Sequence, residues 1–270
     1  NVQVKENFLN EDNFLNYNYS PVSPLAVGQI KPNSNKIPLW VATPTSNAVH
    51  RVLIDSKGAK PSKLVRTGSW PTSVARWARV DAPSYLLVTQ CGRDSLGFIN
   101  LSSQRLEDAI RVGDEPAHVL VDHSSPKNPV AYVALSGENR VAKIDLLTRK
   151  VVAKADVGRD PRAMALDVSL GRLFVASLIS LNAHPQGPLS KGKPVDSSLQ
   201  RDISVIDTDT MKVKGLVAEV GTILRGLWLS PEKPHKLLLA LTDAANTTLN
   251  VNADSKPHRH RIAVIDPVKA

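Results

Sequence analysis

Short apolar stretches rich in Val, Ile, Leu and Ala alternate along this chain with brief polar turns, the pattern of half-buried strands. The clearest stretch pairs Ala131–Leu135 with Val141–Asp145 around Ser136-Gly137-Glu138-Asn139, a hairpin, and continues through Leu147–Lys150 into an outer strand over Val151–Val157. Gly158 and Pro161 then separate it from a further strand over Ala163–Asp167, so that glycine supplies the backbone freedom and proline fixes the entry angle. Strands of this last kind are small and apolar on both faces, as in Val74-Ala75, Val119-Leu120-Val121, Ala163–Leu166 and Gly226–Leu229. That is the composition of strands packed around a narrow hub.

The pattern repeats. A strand ends in Leu53-Ile54-Asp55, Phe98-Ile99-Asn100, Lys143-Ile144-Asp145, Val205-Ile206-Asp207 and Val264-Ile265-Asp266, with successive spacings of 45, 45, 62 and 59 residues. A second mark keeps step: Gly68-Ser69-Trp70-Pro71, Gly113-Asp114-Glu115-Pro116, Gly158-Arg159-Asp160-Pro161 and a degenerate Gly221-Thr222-Ile223-Leu224. Two marks that drift together describe a true repeat with an insertion in its fourth copy. A period near 45 residues holding four short strands predicts an all-β chain, a β-propeller of four-stranded antiparallel blades. About five blades are visible over residues 23–270, with insertions at 178–200 and 243–259. The fifth lacks its outer strand. Either Val2-Gln3-Val4 of the N-terminal arm (residues 1–22) supplies that strand and closes the ring, or the polypeptide continues past Ala270 toward six to eight blades.

The run Pro161–Asp167, Gly171–Ala176 and Ile203–Asp207 resembles the bacterial and archaeal YVTN β-propeller repeat. In that pattern Tyr-Val-Thr-Asn lies on the second strand, Val-Ile-Asp on the third and Val-Gly-x-x-Pro at the crossover. The second-strand positions here are Trp40–Thr43, Leu87–Gln90, Tyr132–Leu135 and Phe174–Ser177. The resemblance covers about residues 38–270 and speaks to fold, because the shared residues are structural. It implies a periplasmic or extracellular setting and a habit of seven blades. It also implies kinship with propellers that serve c-type cytochrome, peroxidase or amine dehydrogenase assemblies, and with some lactonases and lyases.

Composition narrows the function. The chain has 270 residues, 42% apolar and 22% charged, as a folded globular protein does. One cysteine, Cys91, excludes an internal disulfide, a Cys-rich zinc site and a Cys-x-x-Cys-His haem attachment within these residues, so no cofactor is expected in the chain itself. No apolar run reaches the length of a membrane span, and any signal peptide is expected either to have been removed before Asn1 or never to have existed. The net charge of +9 is scattered, without Lys/Arg blocks interleaved with aromatics. That argues against nucleic acid and for an acidic protein partner, one that bears haem if the assembly is redox-active.

Candidate chemistry lies in two places. Equivalent positions after each crossover carry Thr72-Ser73, Ala117-His118, Arg162-Ala163 and Arg225-Gly226. Their convergence at one mouth of the hub would make Arg162, Arg225 and His118, with Arg76, a cationic funnel for a carboxylate, a phosphate or an acidic loop; the same arginines could instead bridge blades through Asp122, Asp160 or Asp167. The insertions carry Lys191 and Lys193, and His258 and His260, as partner-facing residues; His184 is the one conceivable third metal ligand, and no metal is expected. Gly187–Pro194 imitates a phosphate loop, but Pro194 stands where a Ser or Thr should be and Pro188 removes a cradle amide.

No catalytic signature appears, and no catalytic residue is assigned. The leading expectation is a binding scaffold that presents loops and a basic hub to a protein. The alternatives are a propeller subunit or domain of a periplasmic redox assembly, and a hub-located lactonase or lyase.

Overall fold

A computed structural model describes residues 22–30, 33–179, 189–190, 193–194, 201–221, 224–230, 237–241 and 261–268. The β-branched runs form strands, and each repeat becomes one sheet. The first blade holds Leu25–Val27 (β1), Ile37–Thr43 (β2), Ala48–Asp55 (β3) and Gly58–Arg66 (β4). The second holds Pro71–Trp77 (β5), Tyr85–Gln90 (β6), Ser95–Asn100 (β7) and Arg105–Arg111 (β8). The third holds Pro116–Asp122 (β9), Val130–Leu135 (β10), Arg140–Asp145 (β11) and Lys150–Asp156 (β12). The fourth starts with Arg159–Asp167 (β13) and Arg172–Ile179 (β14). Its insertion contributes a minimal hairpin of Leu189–Ser190 (β15) and Lys193–Pro194 (β16), and Arg201–Asp207 (β17) and Val213–Gly221 (β18) complete the sheet. The fifth shows three strands among the described residues: Leu224–Leu229 (β19), Leu237–Leu241 (β20) and Arg261–Ile265 (β21). Four sheets of four antiparallel strands and one of three are the expected propeller blades.

The second strands carry the core because neighbours flank them on both edges and both faces. All six residues of β6 are buried, as are all six of β7, and Leu86, Leu87, Val88, Val133 and Leu173 are fully excluded from water. Outer strands face water on one side, so β12 alternates between exposed and covered positions and β4 is mostly exposed. Apolar side chains of neighbouring blades interlock: Trp77, Leu87 and Phe98 pack with Val133, Leu135 and Ile144 in one cluster.

The repeated marks now have physical causes. The Asp or Asn that ends each third strand caps the turn after it. Asp55 accepts from the Lys57 amide, Asn100 from Ser102 and Ser103, Asp145 from Leu147 and Thr148, Asp207 from Thr210 and Asp266 from Val268. The crossover differs from the sequence expectation. Of its glycines only Gly113 has a left-handed backbone (φ 143°); the position that is left-handed every time is the residue before proline, Trp70 (57°), Glu115 (50°) and Asp160 (53°). At Gly68 a β-carbon would instead displace the Gln90 amide oxygen, which accepts from the Gly68 amide.

Just before β1, Val22 donates to the Thr72 carbonyl (3.1 Å) and Ser23 accepts from Val74 (2.9 Å), so this segment runs parallel to β5. Val22 also packs on the apolar cluster of the fourth and fifth blades. Val2–Val4 lie outside the described residues.

Candidate functional site

The inner strands β5, β9 and β13 begin at the crossover edge, and the polar side chains at their starts face the neighbouring blade. Thr72 Oγ1 lies 2.9 Å from both Thr89 Oγ1 and the Ala117 carbonyl of the next blade. Ser73 Oγ accepts from the Val119 amide (3.2 Å). At the equivalent position His118 Nδ1 accepts from the Met164 amide (2.9 Å). In the second and third blades these side chains tie the inner strand to that of the next blade. His118 is buried, and burial lowers its pKa to about 4, so the ring is neutral with its proton on Nε2.

Arg162 projects at the position equivalent to Thr72. Its guanidinium grips Asp160 in a two-point contact, Nε to Oδ1 at 2.6 Å and Nη2 to Oδ2 at 3.1 Å, with the side chain only 12% exposed. Asp160 is one of the acidic residues expected to bridge blades, but it lies two residues away on the same strand, so the pair is internal to the fourth blade. Carboxylates crowd the same mouth: the Cys91 thiol is pushed up to about 12, first by burial, then by Glu115, with Asp94 and Asp114 adding and Arg162 opposing. The mouth is mixed in sign, not uniformly basic.

Arg225 lies on β19 at the corresponding strand start. Arg76 is elsewhere: it sits near the far end of β5, paired with Leu86, on the edge opposite the crossovers. The inner strand therefore separates it from Arg162 and His118. Of the insertion residues, Lys193 lies on β16, whereas Lys191, His184, His258 and His260 fall outside the described residues. Both insertions join second to third strands, so they leave from the same edge as the crossovers. Among the described residues no three His, Cys, Asp or Glu side chains come together as a metal site, and no helix is long and apolar enough to cross a membrane.

A second repeated device escapes the sequence reading. Asn47, Asp94 and Asn139 close the second-to-third-strand turns in left-handed conformation. Each accepts through its side chain from the left-handed crossover residue: Trp70 at 2.9 Å, Glu115 at 3.3 Å and Asp160 at 3.0 Å. Their carbonyls accept from Thr67, Val112 and Val157. The signal was an Asn or Asp before each third strand, at spacings of 47 and 45 residues.

No family model and no curated protein matches the chain. Solved structures do. Hydrazine synthase of Kuenenia stuttgartiensis aligns over 98% of this chain and 67% of its own, with 16% identity and a TM-score of 0.67. Dihydro-haem d1 dehydrogenase NirN, in complex with DHE, aligns over 82% of this chain and 44% of its own at 12% identity and TM-score 0.53. The Dos1 propeller aligns over 75% and 49%, at 12% identity and TM-score 0.51. The chain thus spans two thirds or less of these structures. At such identity the likeness carries the propeller fold alone.

Proposed function

We propose that this chain is a propeller-type binding domain of a larger assembly, docking a protein partner on its crossover face. The observation that carries the reading is the commitment of the inner-strand polar groups. Thr72, Ser73, Thr89 and His118 are buried and hydrogen-bonded within and between blades, which leaves recognition to the rim. Arg162, held by Asp160, lies on that rim, and the strands that flank the two insertions, which carry Lys191, Lys193, His258 and His260 in the sequence, end at the same edge. A partner with an acidic, hydrogen-bonding surface fits a rim of this kind in a protein of charge +9.

Deleting 180–200 and 242–260 from the native polypeptide, then mapping cross-links to co-purifying proteins, tests this reading. Loss of the cross-linked partner is expected. An unchanged partner set with both loops absent would reject the docking face.

A second reading places the assembly in periplasmic or extracellular redox metabolism, with a haem-bearing partner. It rests on the repeat's resemblance to propellers of redox assemblies, and the fold it shares with hydrazine synthase and a dihydro-haem d1 dehydrogenase accords with it. A Soret band in the complex, absent from the isolated chain, is its expected signature; a colourless complex argues against it.

A further inference from the structure

On the edge opposite the crossovers, Arg76 breaks a row that is otherwise aliphatic. Strand register defines the row: Arg76, Val121, Leu166 and Leu229 pair with Leu86, Ala131, Leu173 and Leu237. These in turn pair with the signature isoleucines Ile99, Ile144, Ile206 and Ile265. Three of the four blades described this way place an aliphatic side chain where the second places a guanidinium. An inner strand gains nothing in packing from that exchange.

The Arg76 guanidinium is also under-satisfied. Its Nε is buried without a hydrogen-bond partner, and Arg76 takes part in none of the ion pairs among the described residues. A buried guanidinium N–H left unpaired is costly; with no water-accessible surface Nε itself is closed to a ligand, so contact with the cavity falls to the rest of the Arg76 side chain. Arg76 lines a cavity of about 740 Å³ between the second and third blades, a volume suited to a small organic molecule. Arg79 stands at this cavity with its guanidinium 5.0 Å over the Trp77 ring. His123 adds an imidazole whose pKa is lowered, first by desolvation, so that it is a neutral polar group there.

The rest of the lining selects among anions. Val80, Leu147 and Pro129 make much of the wall apolar. Asp81 and Asp122 also face the cavity and oppose a second negative charge. We propose that this cavity binds a small monocarboxylate with an apolar body, its carboxylate on Arg76 and its apolar part against Leu147 and Pro129. A phosphate, partly dianionic near neutral pH and strongly hydrated, is disfavoured by the same two aspartates. The site lies away from the docking face and does not depend on it.

Isothermal titration of the native polypeptide with benzoate and hexanoate, against acetate and inorganic phosphate, tests the proposal. Benzoate or hexanoate should bind with a dissociation constant of about a millimolar or tighter, acetate and phosphate at least 10-fold more weakly. Arg76→Leu conforms to the row and should fold, and it should weaken benzoate binding at least 10-fold through loss of the charge-assisted hydrogen bond. Should Arg76→Leu fail to fold, Arg76→Met, of similar length, gives the same comparison. Absence of monocarboxylate binding to the native protein, equal affinity in the variant, or preference for phosphate would each overturn the assignment.

Discussion

At the scale of single residues, the recurring feature is a side chain that closes a backbone hydrogen bond across a blade boundary. Asn139 does so for the left-handed Asp160, and Asp94 does so one blade earlier. Asn139→Ala leaves the Asp160 amide unpaired and puts alanine at φ 57°, so a loss of about 2 kcal/mol in urea-monitored unfolding is expected. Asn139→Asp should lose less than half of that, because Asp94 already performs the role. His118 gives a pH dependence. Its folded pKa, about 4, lies below the ordinary 6.5, so the neutral ring is the stabilising form. Its contribution is complete above pH 6.5 and falls away as pH drops toward 4, roughly 3 kcal/mol for a shift of this size. His118→Asn retains an acceptor for Met164 and cannot charge. The variant's stability curve between pH 7 and 4 should therefore be flatter than that of the native protein; parallel curves would remove His118 as the cause.

At the scale of elements, turns rather than strands decide how blades meet. Arg149, in the turn between β11 and β12, reaches into the second blade. Its guanidinium stands 4.6 Å over the Phe98 ring and 5.3 Å over Tyr85, and Nη1 is 2.5 Å from Asp108 Oδ2. On the next boundary Lys143 donates to the Thr208 carbonyl (2.7 Å), and on the one after that Arg172 donates to Pro267 (2.6 Å). Basic side chains near this edge thus stitch consecutive blades. Arg149→Ala is expected to cost about 1–2 kcal/mol, and Arg149→Lys to recover only part of it, since the planar stack on Phe98 is lost. A lysine variant as stable as the native protein would show that charge alone suffices. The turn caps are acid-sensitive in the same way. Lys214 first, then Thr210, holds Asp207 below the usual carboxylate range, and turn amides lower Asp145. Both caps stabilise above the ordinary carboxylate pKa and are lost as pH falls below it.

At the scale of the whole molecule, stability is a sum over blades and their interfaces. The second and third blades pack through one continuous cluster, and third and fourth through another that joins Tyr132 and Val141 to Met164 and Leu173. Amides of β6 and β10 are expected to exchange only through global opening, and those of β4, whose residues are mostly exposed, by local fraying. Uniform protection across β4 and β10 would contradict a blade-by-blade hierarchy. The committed hub polar groups, the mixed-sign crossover rim and the cavity at Arg76 give the two ends of the hub different chemistry.

The period, the strand order and the blade boundaries were legible in the residues, because alternation with period two and turn chemistry are local properties. Ile144-Asp145 announces its own strand end and its own turn. The charged residues were legible as types but not as partners. Arg162 reads as part of a basic funnel until its neighbour Asp160 is seen to hold it, and His118 reads as a ligand until Met164 of the next blade occupies its nitrogen. Arg76 joins that funnel on paper, yet the length of β5 carries it to the other edge. The sequence by itself determined that the chain repeats, where the recurring second and third strands lie, and that one cysteine cannot form an internal disulfide; it did not announce β1 or the hairpin of β15 and β16. Only the tertiary structure decided which polar groups are committed between blades and which face a cavity, because those pairings join residues about 45 positions apart that meet only when blades pack.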